Sequence, residues 1–460
     1  MSTLARTSTA WSWLARPSWL VAVTVACIGI PAGRAASDSG AQVTAADCAG
    51  LVLVAVVAVM VAARRRTVPP RILLIFGPLV AALGVTTVCS TDIAASVPGF
   101  LRVIEIFVLV PVAVVLALRD RRDAVIICAA VLGLGLAEAG YGIWQATTMN
   151  GAGIAGRNVR AVGTFGATEV IAMATVVGIG FIIVTAFALN CFTRRTPGRR
   201  RMVLPAVLGG LVVQGIALIF AQSRGTWITT GIAVTVMLLS FDRRVAVKTL
   251  AGCAALVIVL GGALGGAANG VVARSESITQ SVTAPDRSVD DRYQLWATAG
   301  RIWNDHPLTG VGIRNFPAYR DSYASIELSS GSDTDDRAHG YARQPLLSPH
   351  NEYLLILSEQ GVVGLGGFAV LIVAIGHGLW KRRCPRDPFW LAGVAFMTFL
   401  LVEFMYGDLG GSTSVLTAVM LGLAASQALG RTERSPGALS CPPDGSVSVP
   451  VVDGDGRELR

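Results

Sequence analysis

Apolar stretches of nearly membrane-spanning length recur along most of this chain. A helix needs about 20 consecutive apolar residues to cross the hydrocarbon core of a bilayer. The 460 residues are 53% hydrophobic and only 15% charged, with a mean hydropathy of +0.61, which is more apolar surface than one water-soluble core buries. We therefore predict an all-α polytopic integral membrane protein with about twelve transmembrane helices, at residues 16–33, 49–63, 71–89, 99–118, 123–145, 166–190, 202–221, 225–240, 246–268, 351–378, 388–407 and 411–429.

Basic residues mark the ends of the predicted spans. The formal net charge is +9, but the arginines lie in short clusters and do not form one basic face, so we predict no nucleic-acid partner. Cytoplasmic loops of membrane proteins carry an excess of Lys and Arg. If the N-terminus is cytoplasmic, the internal clusters all fall on the cytoplasmic side, at residues 64–71, 119–122, 193–201, 242–248 and 381–386.

This topology divides the chain into regions of different character. The first span is interpreted as an anchor and not as a cleaved signal sequence, because further spans follow it without a clear domain to release. The Pro-, Gly- and Ser-rich tail is predicted to be disordered. The predicted regions are a cytoplasmic N-terminal segment (1–15), helices one to nine (16–268), a large extracytoplasmic loop (269–350), helices ten to twelve (351–429) and a cytoplasmic tail (430–460).

The large outer loop has two predicted parts. Leu295, Ala299 and Ile302 follow helical spacing, so residues 291–308 are predicted to form an amphipathic helix. Residues 328–340 are rich in Ser, Gly and Asp and are predicted to be a flexible crossing. Loops of this length often carry function, which makes the loop a candidate part of a site.

The stretch SPHN, just before the tenth span, is a candidate helix start. Ser348 suits the N-cap and Pro349 the first helical position, which places His350 and Asn351 in the first turn. The amide groups and dipole of a helix N-terminus disfavour an imidazolium and favour an anion. His350 is then a neutral base beside an anion site. The alternative is that both residues are polar interfacial residues that end a span.

Three arginines lie on the predicted outer side, where the charge rule disfavours them. Arg224 occupies a tight turn between two spans, and Arg160 and Arg292 lie near other span ends. A snorkelling role is one interpretation. Together with a neutral His350, the three arginines instead favour a site for a phosphate-bearing lipid substrate.

Ionisable residues also fall within predicted spans, where they are costly and often functional. Arg102 and Glu105 are spaced to pair on one helix face. Four acidic residues lie toward outer ends, where they border a glycan site or line a proton path: Glu138, Glu169, Glu403 and Asp408.

Six motifs, in this order, resemble the O-antigen ligase and polymerase family. They are YGIWQ (141–145), RAVGTFG (160–166), QSRGTW (222–227), DRYQLW (291–296), HPLTGVGIRNF (306–316) and PHNEYLLILSEQGVVGL (349–365). The last two are the most specific, and the likeness extends over residues 71–429. Members often continue GTF with Asn-Pro, whereas this chain has Gly166, Ala167 and Thr168.

The resemblance implies transfer of a glycan from a polyprenyl-diphosphate carrier, with His350 as the catalytic residue. It implies diphosphate or substrate binding by Arg224 and Arg292, with Arg160 as a weaker third ligand and Asn351 beside them. His306 matches a family histidine but is predicted to shape the loop. His339 and His377 are not site candidates.

We therefore predict a glycosyltransferase acting on the extracytoplasmic face of the plasma membrane. The donor is a polyprenyl-diphosphate-linked glycan, the acceptor is a hydroxyl of a glycan, lipid or protein, and membrane lipids surround the enzyme. No cofactor and no metal are expected, because arginines and a helix N-terminus can neutralise the diphosphate. The acidic run with Asp333, Asp335 and Asp336 is interpreted as solvated. The rival is a secondary transporter of a small anion, which explains the spans and buried charges but not the outer loop with its motifs.

Overall fold

A computed structural model describes residues 16–31, 43–154, 158–166, 169, 171–193, 197–263, 287–329, 331–336, 340–411 and 413–430. The predicted N-terminal segment, the tail from residue 431 and His339 lie outside these ranges. The helices are α1 (Ser18–Ile28), α2 (Ala45–Ala62), α3 (Pro70–Val88), α4 (Ile93–Ile104), α5 (Val110–Ala117), α6 (Arg121–Thr147), α7 (Ala172–Thr193), α8 (Pro197–Ala221), α9 (Arg224–Phe241), α10 (Arg243–Ala263), α11 (Arg287–Asp305), α12 (Phe316–Tyr323), α13 (Glu352–Lys381), α14 (Pro388–Glu403) and α15 (Thr413–Leu429).

The predominantly helical, membrane-type architecture is confirmed. Every predicted span overlaps a helix of the structure. Among the described residues, eight helical segments are long and apolar enough to cross a membrane, the longest being α13 with 30 residues. Helices α1, α14 and α15 are apolar but shorter. A π-helical turn, Glu105–Leu109, joins α4 to α5 into one segment of 25 residues.

Arg16 and two of the arginine-rich loops meet at one end of the helix bundle. Arg16 lies 3.0 Å from carboxylate oxygens of both Asp120 and Asp123. Arg121 pairs with Asp387 at 2.8 Å, and its guanidinium lies 5.0 Å from the ring centre of Phe389. These contacts join α1, α6 and α14. Arg16 and the predicted cytoplasmic clusters at 119–122 and 381–386 are therefore close in space.

At the opposite end, described residues of the loop that is predicted to lie outside form a small helical unit, called the outer unit below. Leu295, Ala299 and Ile302 of α11 are fully or almost fully buried, which confirms the predicted apolar face. They pack with Val311 and Phe316 into a core that also includes Leu346 and, partly buried, Leu354 and Leu355 from the start of α13. The loop is therefore packed onto the transmembrane bundle.

A four-stranded antiparallel sheet joins two outer segments. Its strands are β1 (Ala152–Ile154), β2 (Asn158–Arg160), β3 (Ser332–Asp336) and β4 (Gly340–Gln344), in the order β2-β1-β3-β4. The predicted flexible crossing at 328–340 is thus wrong for residues 332–336. Their Ser- and Asp-rich composition disfavours a strand, but backbone pairing with β1 and β4 outweighs that local preference.

Helix α13 is broken at Gly361, and the loop after α11 fills the break. Gly361 has φ 61° and ψ −162°, so the helical hydrogen-bond ladder stops there. The amides of Val311 and Gly312 donate to the Ser358 and Glu359 carbonyls at 3.1 and 2.8 Å. In return, the amides at 362 and 363 donate to the carbonyls at 307 and 308, at 3.0 and 3.1 Å. Backbone groups that the kink releases are therefore satisfied by the loop.

Two buried side chains stabilise this joint between the break in α13 and the loop after α11. The Glu359 carboxylate accepts the Phe316 amide at 3.0 Å at the start of α12. The Asn315 side-chain amide donates to the Val311 carbonyl at 2.9 Å and to Ser90 Oγ at 3.0 Å. The loop is thereby tied to the turn between α3 and α4 as well as to α13.

The joint predicts a strong effect of Gly310→Ala. Gly310 has φ 66°, and an added Cβ would lie 2.2 Å from the Glu359 carbonyl carbon, so the backbone has to move. We expect a loss of at least about 2 kcal/mol of local stability. Limited proteolysis of the purified protein should cut the outer unit faster, whereas Gly376→Ala, with nothing near its added Cβ, should behave as wild type. Equal protease resistance in the two variants would contradict the joint.

The grouping of the arginine loops predicts which exposed sites face the outside. In a cysteine-free background, a cysteine at the fully exposed Ile326 should react with an impermeant maleimide on intact cells. A cysteine at Arg244, an exposed residue at the start of α10, should react only after the membrane is permeabilised. The reverse pattern would contradict the topology.

Candidate functional site

His350 lies in a turn immediately before α13. The helix begins at Glu352, and its N-cap is Asn351, whose Oδ1 accepts the Leu354 amide at 3.1 Å. The prediction that Ser348 caps the helix and that His350 lies in its first turn is therefore wrong. His350 has φ 48°, a left-handed conformation that few residues other than glycine adopt.

The side chain of Ser348 serves this turn instead of the helix. Its Oγ accepts the His350 amide at 3.2 Å and donates to the Asp408 carboxylate. The Pro349 carbonyl accepts the indole N–H of Trp296 at 2.9 Å. The last residue of DRYQLW thus braces the residue before His350, which links these two motifs through one hydrogen bond.

A connecting segment, residues 404–411 between α14 and α15, holds the other side of the turn. The Glu352 amide donates to the carbonyls of Phe404 and Gly407 at 2.9 and 3.1 Å. The Glu352 carboxylate accepts the Leu409 amide at 2.8 Å. Asn351 donates to the Met405 carbonyl at 3.3 Å. Asn351 therefore caps α13 with its Oδ1 and holds the helix start to the 404–411 segment with its Nδ2.

His350 faces an acidic partner on the same segment. Its Nδ1 lies 3.6 Å from Asp408 Oδ1, which is beyond direct hydrogen-bond distance but within the range of charge pairing. The two side chains are 36% and 23% exposed, so substrate can reach them. Because Nδ1 faces Asp408, Nε2 is the nitrogen directed to other groups.

Arg224 is the first residue of α9, beside the 404–411 segment. Ser223 caps the helix, since its Oγ accepts the Thr226 amide at 3.4 Å. A Cβ added to Gly225 would lie 3.5 Å from the Cβ of Tyr406. The glycine of SRGTW thus lets the N-terminus of α9 approach this segment closely. Arg224, the neighbouring residue, is brought close to the segment by the same contact.

Arg292 approaches the same region from the outer unit. It lies one turn before Trp296 on α11 and interacts electrostatically with Glu403, the last residue of α14. Glu403 Oε1 also accepts the Thr175 hydroxyl at 3.2 Å. Arg292 is therefore close to the start of the 404–411 segment.

Arg160 contacts a different part of the structure, the end of α8. Its Nε donates to the Ala221 carbonyl at 3.1 Å, at the end of α8 and next to QSRGTW. The neighbouring Ala161 amide donates to the Phe220 carbonyl at 3.1 Å. Arg160 therefore connects the RAVGTFG segment to the turn before Arg224.

Helix α6 anchors the RAVGTFG segment in turn. Gln145, the last residue of YGIWQ, accepts the Gly163 amide at 2.9 Å and donates to the Gly163 carbonyl at 3.0 Å. Glu138 accepts the Thr164 amide at 3.0 Å and its hydroxyl at 2.7 Å. The role of Glu138 and Gln145 in the described structure is to hold the segment that precedes α7.

The predicted pair Arg102 and Glu105 is confirmed, at 3.2 Å. Arg102 also binds the Asp47 carboxylate, and its second terminal nitrogen donates to the Gly411 carbonyl at 3.1 Å. A Cβ added to Gly411 would meet the Glu169 carboxylate, so that residue borders the same point. The intramembrane charge cluster therefore fixes the far end of the 404–411 segment.

Of the predicted site residues, His350, Arg224 and Arg292 lie against the 404–411 segment or its flank. Sequence reasoning missed the contacts of Trp296 and Tyr406, and it did not identify Asp408 as the partner of His350. Ser348 and Asp408 are 60 residues apart, a separation at which no spacing rule predicts a contact.

The predictions about metal binding and about His306 concern other parts of the outer unit. Within the described residues, no group of three or more His, Cys, Asp or Glu side chains is arranged to hold a metal ion. Asp333, Asp335 and Asp336 belong to β3. The His306 ring packs edge-to-face on Tyr319, with 5.9 Å between ring centres, and its carbonyl accepts the Gly310 amide at 3.1 Å. His306 therefore contributes to the loop that fills the break in α13.

Part of the chain matches a family model of known proteins. Residues 209–369 match the family model described as O-antigen ligase, a stretch that runs from α8 through the outer unit and past the break in α13. It includes Arg224, Arg292, His350 and both halves of the joint at Gly361. No curated protein matches the chain. Residues 209–369 of the chain are thus similar to the domain that the O-antigen ligase family model describes.

Proposed function

We propose that this protein transfers a glycan from a polyprenyl-diphosphate carrier to an acceptor hydroxyl in the synthesis of envelope polysaccharide. The observation that carries the proposal is the meeting of one titratable base and two arginines at the 404–411 segment. His350 faces Asp408 on that segment, Arg224 begins the helix that packs on Tyr406, and Arg292 interacts with Glu403 at its flank. All three lie within the family match.

His350 acts as the general base. Its Nε2 accepts the proton of the acceptor hydroxyl while that oxygen attacks the anomeric carbon of the donor. Asp408, on the opposite side of the ring, orients the imidazole and stabilises the imidazolium as it forms. The new bond joins the acceptor oxygen to the anomeric carbon. Direct displacement inverts the configuration at that carbon.

The arginines receive the leaving group. As the bond between the anomeric carbon and the phosphate oxygen breaks, its electron pair passes to the diphosphate. Arg224 and Arg292 donate paired hydrogen bonds to the phosphate oxygens, which suits a planar guanidinium better than an ammonium. The N-terminus of α9, where Arg224 lies, adds positive potential. Asn351 and Arg160 support the site by fixing α13 and the turn before α9.

The finer topology belongs to the same proposal. The chain crosses the plasma membrane about twelve times, with both termini in the cytoplasm and residues 269–350 outside. The grouping of Arg16, Arg121 and their partners at one end of the bundle supports it. The donor reaches the site from the outer leaflet, and the acceptor hydroxyl belongs to a glycan, lipid or protein.

The transporter alternative draws on the charge cluster around Arg102. That cluster has a local role, because Arg102 binds the Gly411 carbonyl and so fixes the 404–411 segment. Transport gives no reason for an outer loop inserted into a broken helix. The geometry favours the transferase.

His350→Ala should lower transfer by about a thousandfold, within the range for a lost general base. Transfer is measured with purified protein and lipid-linked glycan. His377→Ala is the matched control, since His377 lies exposed near the other end of the same helix, and it should keep full activity. Asp408→Asn should have a smaller effect than His350→Ala. Full activity of His350→Ala at normal abundance would show that the base lies elsewhere.

Transfer should survive excess EDTA but not Arg224→Lys. If guanidinium groups neutralise the diphosphate, then removing divalent ions changes little, whereas lysine loses the paired hydrogen bonds and should cost at least about tenfold in kcat. The same assay measures both. Activity that EDTA abolishes and magnesium or manganese restores would refute the arginine mechanism.

A further inference from the structure

The outer unit carries a groove that the proposed reaction does not use. It has a volume of about 450 Å3 and lies between α11 and the end of α12. Its lining is formed by Ala297, Gly300, Arg301, Asn304, Asp305 and Tyr323. Ala297 and Gly300 have little or no side chain, whereas the other four supply polar atoms. The groove therefore combines space along one helix face with a polar rim.

Hydrogen bonds hold two walls of the groove in place. Arg301 Nη1 donates to the Tyr323 carbonyl at 2.7 Å. The Tyr323 hydroxyl donates to Asp305 Oδ2, also at 2.7 Å. The hydrogen bond to Asp305 raises the pKa of Tyr323 above its usual range, so the phenol stays protonated. The buried side of α11 is fixed by Leu295 and Ile302, and the rim is thus preorganised.

The charges of the rim favour a neutral ligand. Arg301 and Asp305 have opposite charges, so the groove has no net attraction for a phosphate, and the carboxylate repels one. The guanidinium and the Asn304 amide offer donors, and the Asp305 carboxylate and the Asn304 carbonyl offer acceptors. The Tyr323 ring adds an apolar surface next to a hydroxyl. This mixture suits a ligand with many hydroxyl groups and apolar faces, namely a sugar.

The groove also lies on the helix that reaches the candidate site. Arg292 of α11 interacts electrostatically with Glu403, and Trp296 donates a hydrogen bond to the Pro349 carbonyl in the turn before His350. At 1.5 Å per residue, Gly300 lies about 12 Å further along the helix than Arg292. A short oligosaccharide can span that length.

We propose that this groove binds an oligosaccharide portion of the substrate, several sugars away from the reacting bond. The proposal rests on glycan transfer as the function. The same chemistry is found in the glycan of the donor and in a glycan acceptor, so the groove takes one of these two chains. Binding there adds affinity without contact with the anomeric carbon.

Gly300→Trp tests the groove by filling it. A Cβ at Gly300 has no neighbour within 4 Å, and glycine is a poor helix former, so the substitution should not disturb α11. Ser322→Trp adds the same bulk at an exposed position of α12 that does not line the groove. The probe is carrier-free oligosaccharide released by mild acid from the lipid-linked glycan of the producing cell.

Binding of this probe to full-length protein in nanodiscs is followed by saturation-transfer NMR. We expect Gly300→Trp to raise the apparent Kd at least about tenfold, Asn304→Ala to raise it less, and Ser322→Trp to leave it unchanged. An equal Kd for wild type and Gly300→Trp would overturn the proposal. This assay needs no turnover, so it stands apart from the His350→Ala result, on which the proposed function depends.

Steady-state transfer kinetics then identify which glycan, that of the donor or that of the acceptor, occupies the groove. A rise in KM for the donor in Gly300→Trp assigns the groove to the donor glycan, and a rise in KM for a glycan acceptor assigns it to the acceptor. In both cases kcat at saturation stays within about twofold. A fall in kcat with both KM values unchanged would contradict a role in binding.

Discussion

The exchange of backbone hydrogen bonds at the break in α13 is the constraint on which the site depends. Gly361 interrupts the helix, and the loop after α11 supplies amides and carbonyls to the groups left open, through Val311, Gly312 and the carbonyls at 307 and 308. Leaving a buried backbone group without a hydrogen-bond partner costs about 1–3 kcal/mol of folding free energy. The broken helix and the loop therefore each depend on the other for stability. The outer unit is thereby held on the bundle, and with it α11, which carries Arg292 and Trp296.

A second shared element is the 404–411 segment. It contacts the turn of His350 through Ser348 and Asp408, the start of α13 through Glu352, and the start of α9 through Tyr406. Its far end is held by Arg102. Candidate site residues from distant parts of the chain are therefore positioned against one short segment. Several motif residues, such as Gln145, Gly225 and Trp296, hold these segments together.

The sequence predicted the positions of the helices, because an apolar run of about 20 residues has few alternatives in a membrane. It also predicted the buried face of α11 and the pair of Arg102 with Glu105, both of which depend on local spacing. The start of α13 was misplaced, since Ser348 is taken by Asp408 and Asn351 becomes the cap. Strand β3 was missed because it depends on pairing with β1 and β4. Contacts between distant segments leave no periodic pattern in the sequence from which they could be predicted.

The proposed mechanism requires that Arg224 and Arg292 bind the diphosphate of a lipid carrier beside His350. An experimental structure of the protein with a non-cleavable polyprenyl diphosphonate glycan tests it most directly. We expect diphosphonate oxygens within hydrogen-bond distance of both guanidinium groups, next to the 404–411 segment, with the anomeric carbon on the His350 side. Headgroup density bound away from both arginines would contradict it.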